Sequence, residues 1–115
     1  MASEEAYSCE EVCTLFEEAL GDEPFATVRV LQLDSQRRLR SLGSALHPCV
    51  SLTALSLARC GLTNLEGLHT LQSLTHLGVY YNNITELAEL QRLSCHSKLI
   101  HLDLRLNPVT RAGTL

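Results

Sequence analysis

Apolar residues recur along this chain at fixed offsets. From Leu52 they fall at Leu55, Leu57, Leu62, Leu65, Leu68 and Leu71. From Leu74 the same spacing returns as Leu77, Val79, Ile84, Leu87, Leu90 and Leu93, a period of 22 residues. A third start gives Leu99, Leu102, Leu104 and Val109 after a short insertion. Upstream, Val28, Leu31 and Leu33 open a looser unit that continues through Leu39, Leu42 and Leu46. Each unit begins with an apolar-x-apolar element, the alternation of a short strand with one buried face. Before residue 25 the period changes. Val12, Leu15, Phe16, Ala19 and Leu20 follow helical spacing, Ser8 precedes Glu11 as in a capping box, and Gly21 is placed to end the helix. The pattern predicts an amphipathic helix near 9–20 lying over the first unit, with Glu10, Glu11, Glu17 and Glu18 in water.

Unit length and spacing match the leucine-rich repeat, L-x-x-L-x-L-x-x-N/C-x-L. The predicted fold is an α/β solenoid: a leucine-rich-repeat horseshoe segment with a short parallel β-sheet on its concave face and an N-terminal capping helix. Cys60, Asn82 and Asn107 occupy the slot where the chain turns off the strand. A buried asparagine there bonds backbone groups that the turn leaves unpaired, and Cys60 fills the slot with weaker hydrogen bonding. The expected organisation is a disordered acidic tail over 1–7, a capping helix within 8–25, about four repeats over 26–110 with the last incomplete, and a frayed end over 111–115. The last unit stops after LNPVTRAGTL, which predicts a truncated isoform, a fragment, or an end that fits against a partner.

Charge divides the chain. Glu4, Glu5, Glu10, Glu11, Glu17, Glu18, Asp22 and Glu23 precede residue 25 without a lysine or arginine. The remainder carries five acids against nine bases, a net charge of +4 on the body beneath an acidic cap. The bases are dispersed apart from Arg37-Arg38-Leu39-Arg40, which argues against nucleic acid and reads as a solvated loop or a docking patch for an acidic partner. The five cysteines follow neither a disulfide framework nor a C-x-x-C metal motif and read as reduced thiols. No apolar run approaches the roughly 20 residues of a membrane span, and the acidic N-terminus lacks the features of a signal peptide. A cytoplasmic protein is expected, with no membrane partner.

Aligning the units places the variable strand residues in columns: Ala54, His76 and His101; Ser56, Gly78 and Asp103; Ala58, Tyr80 and Arg105; then Arg59, Tyr81 and Leu106. Adjacent strands lie roughly 4.8 Å apart, so neighbours in a column touch. Tyr80 and Arg105 are expected to stack, and tyrosine and arginine are frequent anchors of protein interfaces. The candidate protein-binding residues are Tyr80, Tyr81, His76, His101, Asp103 and Arg105. His76 and His101 without a third ligand do not make a metal site and read as a titrating surface pair. No phosphate loop, nucleophile elbow or H-E-x-x-H occurs, so neither catalysis, a cofactor nor a small-molecule substrate is expected.

Two stretches, LGVYYNNITELAELQRL (77–93) and LDLRLNPVTR (102–111), resemble the repeat domain of the centrosomal leucine-rich-repeat proteins, over roughly residues 26–111. The resemblance implies a non-enzymatic protein-interaction scaffold at the centrosome or cytoskeleton, with centrosomal or microtubule-organising proteins as partners. In that family the chain continues past LNPV into a capping segment and a long coiled-coil tail, so tail functions do not carry over. Two other readings are open. One is a regulatory subunit or inhibitor of an enzyme such as a phosphatase; the other is a short product without independent function.

Overall fold

The computed structural model describes residues 5–111. Helix α1 spans Cys9–Leu20, and four three-residue strands follow: β1 (Val30–Gln32), β2 (Ala54–Ser56), β3 (His76–Gly78) and β4 (His101–Asp103). A short helix α2 (Leu87–Gln91) lies between β3 and β4 and runs into a 3₁₀ turn over Arg92–Cys95. The strands form one parallel sheet in chain order. Its register pairs Leu31 with Leu55, Leu55 with Leu77, and Leu77 with Leu102. The first residue of each L-x-L element thus forms a row across the sheet. This is the α/β architecture of a leucine-rich repeat, one parallel strand per unit.

The strands are short because the chain turns at the same place in every unit. Ser35, Arg59, Tyr81 and Leu106 hold that position, and all four have positive φ, from 57° to 66°. Left-handed backbone costs a non-glycine residue roughly 1–2 kcal/mol. Hydrogen bonds between units offset it. Ser35 N–H donates to the Ala58 carbonyl at 2.7 Å, Arg59 to Tyr80 at 3.0 Å and Tyr81 to Arg105 at 2.9 Å.

The residue after this turn locks each unit to the one before. Asn82 is buried. Its Nδ2 donates to the carbonyls of Leu57, Val79 and Tyr80, at 2.8, 2.9 and 3.3 Å. Its Oδ1 accepts from the backbone N–H groups of Cys60 and Leu62, at 2.9 and 3.0 Å. Asn107 repeats the arrangement one unit on, donating to Val79 and Leu104 and accepting from Ile84 N–H. In the preceding unit Cys60 Sγ donates to the carbonyls of Leu33 and Ala58, at 3.2 and 3.5 Å. A thiol is a weaker donor than an amide and offers less as an acceptor. Burial pushes the Cys60 thiol pKa above its ordinary value, so the group stays protonated and keeps that hydrogen.

Beneath the sheet the core is aliphatic, with Leu46, Leu52, Leu57, Leu62, Leu71, Leu74, Leu77 and Ile84 fully enclosed. Helix α1 closes the β1 end of this core with Val12 and Phe16. Ser8 Oγ accepts from Glu11 N–H at 3.2 Å, and Glu11 Oε1 accepts from Ser8 N–H at 2.9 Å. Gly21 ends the helix at φ 61°, its N–H bonded to the Glu17 carbonyl.

Two expectations about the core need correction. Ala19 is exposed and Leu15 and Leu20 only half-buried, because α1 meets the core along a stripe narrower than its apolar periodicity. Leu87, assigned to the core by repeat offset, is 61% exposed. It opens α2, and the described part of the last unit reaches Ile84 through Val109 N–H without covering Leu87. Residues 1–4 of the expected acidic tail lie outside the described residues, but Glu5–Tyr7 dock on the body. Tyr7 N–H donates to the Arg38 carbonyl at 2.7 Å, and Arg38 Nε donates to the Glu5 carbonyl at 2.6 Å. Of the expected frayed end, residues 112–115 lie outside the described residues, while Arg111 N–H closes a 3₁₀ turn on Pro108.

Asn82→Ala removes both sides of the lock and orphans buried N–H groups of Cys60 and Leu62. Unfolding free energy in urea is expected to fall by roughly 2–4 kcal/mol, each such buried group costing about 1–3. A loss below about 1 kcal/mol would refute the lock. Gly67 is a second sensitive point, with φ 96° and a carbonyl, that of Gly43, where a Cβ would stand. Gly67→Ala is expected to cost about 1–3 kcal/mol in the same measurement.

Candidate protein-binding face

The outward side chains of β3 and β4 and of the residues just beyond them are where the repeat leaves chemistry exposed. The strand register sets His76 beside His101 and Gly78 between Ser56 and Asp103. The two imidazole rings lie 5.6 Å apart, inclined by 30°. Thr75 Oγ1 lies 2.9 Å from His76 Nδ1 and donates its single proton to the Thr53 carbonyl at 3.1 Å. The missing side chain of Gly78 leaves a shallow depression of about 170 Å³ across the strands, bordered by Gln32, Ser56, His76 and His101.

Beside it, Arg105 is held from two sides. Its Nε and Nη2 donate to Asp103 Oδ1 and Oδ2 at 3.0 and 2.9 Å. Its guanidinium carbon lies 5.1 Å from the Tyr80 ring centroid. A two-pronged pair on a carboxylate fixes the guanidinium plane, and the ring then covers one face of it. The Arg105 bond, opposed by slight burial, holds the Asp103 carboxyl below its ordinary value. A carboxyl depressed in this way supports the fold above its unfolded value and loses that contribution as pH falls through its folded one. The clamp is therefore intact at neutral pH and opens only in acid, below the ordinary 3.8.

The six candidate residues do not form one cluster. His76 and His101 stand at the start of their strands, and Tyr80, Asp103 and Arg105 form a second group beyond Gly78. Tyr81, turned off the strand by its left-handed backbone, stacks on Arg59, whose guanidinium carbon is 5.2 Å from the ring centroid. The two tyrosine rings are 6.2 Å apart and tilted by 54°. Asp34 escaped the reading of the columns although it continues the column of Ala58, Tyr80 and Arg105. It accepts from Gln32 Nε2 at 2.7 Å, Ala58 N–H at 2.8 Å and Ser56 Oγ at 3.1 Å. Burial pushes its carboxyl up, but these bonds outweigh it and leave the group below its ordinary value. Extending the alignment one unit upstream would have found it.

No family model matches the chain. Leucine-rich repeat-containing protein 36 of Mus musculus is 46% identical over 77 residues, 67% of this chain and 10% of that protein. Centrosomal protein of 72 kDa of Mus musculus is 42% identical over 76 residues, 66% of this chain and 12% of that protein. Leucine-rich repeat-containing protein 56 of Rattus norvegicus is 43% identical over 77 residues, 67% of this chain and 13% of that protein. The chain thus spans only about a tenth of the length of the curated relatives it matches. Among solved structures, the tropomodulin C-terminal domain of Caenorhabditis elegans superposes with a TM-score of 0.62 at 20% identity, over 94% of this chain and 70% of that one. At that identity the likeness speaks to the fold alone. The chain belongs with the leucine-rich-repeat proteins, and its repeat region matches that of the group containing leucine-rich repeat-containing protein 36 and the centrosomal protein of 72 kDa.

Proposed function

We propose that the chain is a non-enzymatic protein-binding module of a centrosome-associated scaffold. In this reading the four strands are the concave face of a repeat solenoid, and a protein partner lies across β3 and β4. The observation that carries it is the clamped Tyr80–Arg105–Asp103 group beside the Gly78 depression. Immobilising an arginine and an aromatic ring before contact lowers the entropic cost of using them as anchors. His76 and His101 add a polar edge to the same surface. The centrosomal setting is supported by the printed name of one relative, the centrosomal protein of 72 kDa. No helix among the described residues is long and apolar enough to cross a membrane.

Proximity labelling in cells, with the chain fused to a biotin ligase, is expected to enrich centrosomal proteins. Tyr80→Ala and Arg105→Ala are expected to reduce that enrichment by at least about fivefold, as for anchor residues of an interface. Gly78→Gln tests the face without deleting a contact. A Cβ at Gly78 meets nothing closer than Ser56 Oγ at 3.7 Å, so the longer side chain fills the depression while the sheet is kept. The same loss of labelling is expected with urea stability unchanged. Enrichment of cytosolic proteins at random, or labelling indifferent to all three substitutions, would sink the proposal.

A further inference from the structure

We propose that the cleft formed by Arg37, Arg59 and Tyr81, at the edge where the strands turn into the loops, binds an extended acidic peptide of a partner protein. This rests on the reading that the domain binds protein, but places the contact on a surface separate from the strand face. The cleft encloses about 460 Å³ and is floored by Gly61, with Asn82 and Asn83 on its far side. A Cβ on Gly61 would come within 2.7 Å of the Arg37 carbonyl, so the backbones of the two loops meet closely at this point of the cleft.

Charge identifies the occupant. The segments 33–40, 57–63, 79–84 and 103–111 carry Arg37, Arg38, Arg40, Arg59, Arg105 and Arg111 against two acids, Asp34 and Asp103, the second of them paired with Arg105. Asp34 already accepts three hydrogen bonds from within the fold. Arg59 is preorganised for a carboxylate. Stacking on Tyr81 uses one face of its guanidinium and leaves the N–H donors along its rim, the geometry that takes a carboxylate in two-pronged fashion. Asn83 is exposed beside it and offers an amide to a peptide backbone.

The neighbouring arginine already seats an extended stretch of chain through backbone groups and a tyrosine ring. Next to Arg37, Arg38 donates to the Glu5 carbonyl and lies 4.7 Å from the Tyr7 ring centroid, and Tyr7 N–H bonds the Arg38 carbonyl. Backbone bonds plus an arginine–tyrosine stack seat residues 5–7 there. The Arg37–Arg59 cleft presents the same elements one unit along, with the tyrosine supplied by the repeat.

The experiment is fluorescence polarisation of the full chain with a short fluorescein-labelled peptide of glutamates around one tyrosine. The same peptide with glutamine for every glutamate, and a single-stranded RNA of equal length, serve as controls. Saturable binding of the acidic peptide is expected, weakening as ionic strength rises from about 0.05 to 0.3 M, since an exposed charged contact is screened over that range. Arg59→Glu and Arg37→Glu are expected to weaken it by at least about tenfold, with circular dichroism unchanged, because each reverses a rim charge. Gly78→Gln and Tyr80→Ala are expected to leave peptide affinity unchanged. If they abolish centrosomal labelling while the peptide still binds, the two surfaces are separate. If labelling is indifferent to them while the peptide binds, the strand-face reading fails and this one stands. Absence of saturable peptide binding, equal affinity for the glutamine peptide, tighter binding of RNA, or indifference to both charge reversals would overturn the cleft assignment.

Discussion

A buried amide at the ends of β3 and β4 is the interaction on which the rest of this structure depends. The chain must leave the sheet in every repeat, and leaving strands backbone donors and acceptors inside an aliphatic core. Asn82 satisfies five such contacts, three as donor and two as acceptor, and its partners lie in two successive units. The side chain both terminates its own strand and fastens it to the preceding loop. An apolar residue in that slot would leave carbonyls and N–H groups buried without partners, at a cost comparable to a large share of a small domain's stability. Cys60 shows how far the slot tolerates change: its thiol reaches the Leu33 carbonyl but is a poorer acceptor for the N–H groups of the loop before it.

That lock also creates the surface chemistry. The residue before the amide is forced into left-handed backbone, which swings its side chain off the strand face. Adjacent tyrosines therefore have different surroundings. Tyr80 lies along the strand face and covers Arg105, and Tyr81 stands at the edge and covers Arg59. Tyr7 lies on Arg38, so each of the three tyrosines of the chain is stacked with an arginine. The core beneath the sheet is filled by leucines, and pairing with a guanidinium holds the tyrosine rings in place outside it.

Much of this was readable before the structure because a repeat encodes its own contacts. Once Leu55, Leu77 and Leu102 are in register, the pairing of the sheet follows, and with it the adjacency of His76 to His101 and of Tyr80 to Arg105. The slots of Asn82 and Asn107 follow from the same offset. What escaped are places where the repeat is broken or begins. Leu87 has the sequence address of a core residue but is exposed among the described residues. His96 falls in the insertion before β4, yet is buried with Nε2 2.8 Å from the Leu68 carbonyl. Glu5–Tyr7 look like part of an unattached acidic tail, and only the position of Arg38 gives them somewhere to bind.

The sequence by itself determined the strands, their order and parallel register, and which side chains face out, because the core is periodic and any slip would bury polar residues and expose leucines. Tertiary structure decided which exposed groups pair with one another. Asp103 orients Arg105, Arg59 covers Tyr81, and Asp34 ties Gln32, Ser56 and Ala58 together. Those contacts depend on the distance between neighbouring turns and on the direction in which left-handed backbone throws a side chain. Neither quantity is written into the spacing of the leucines.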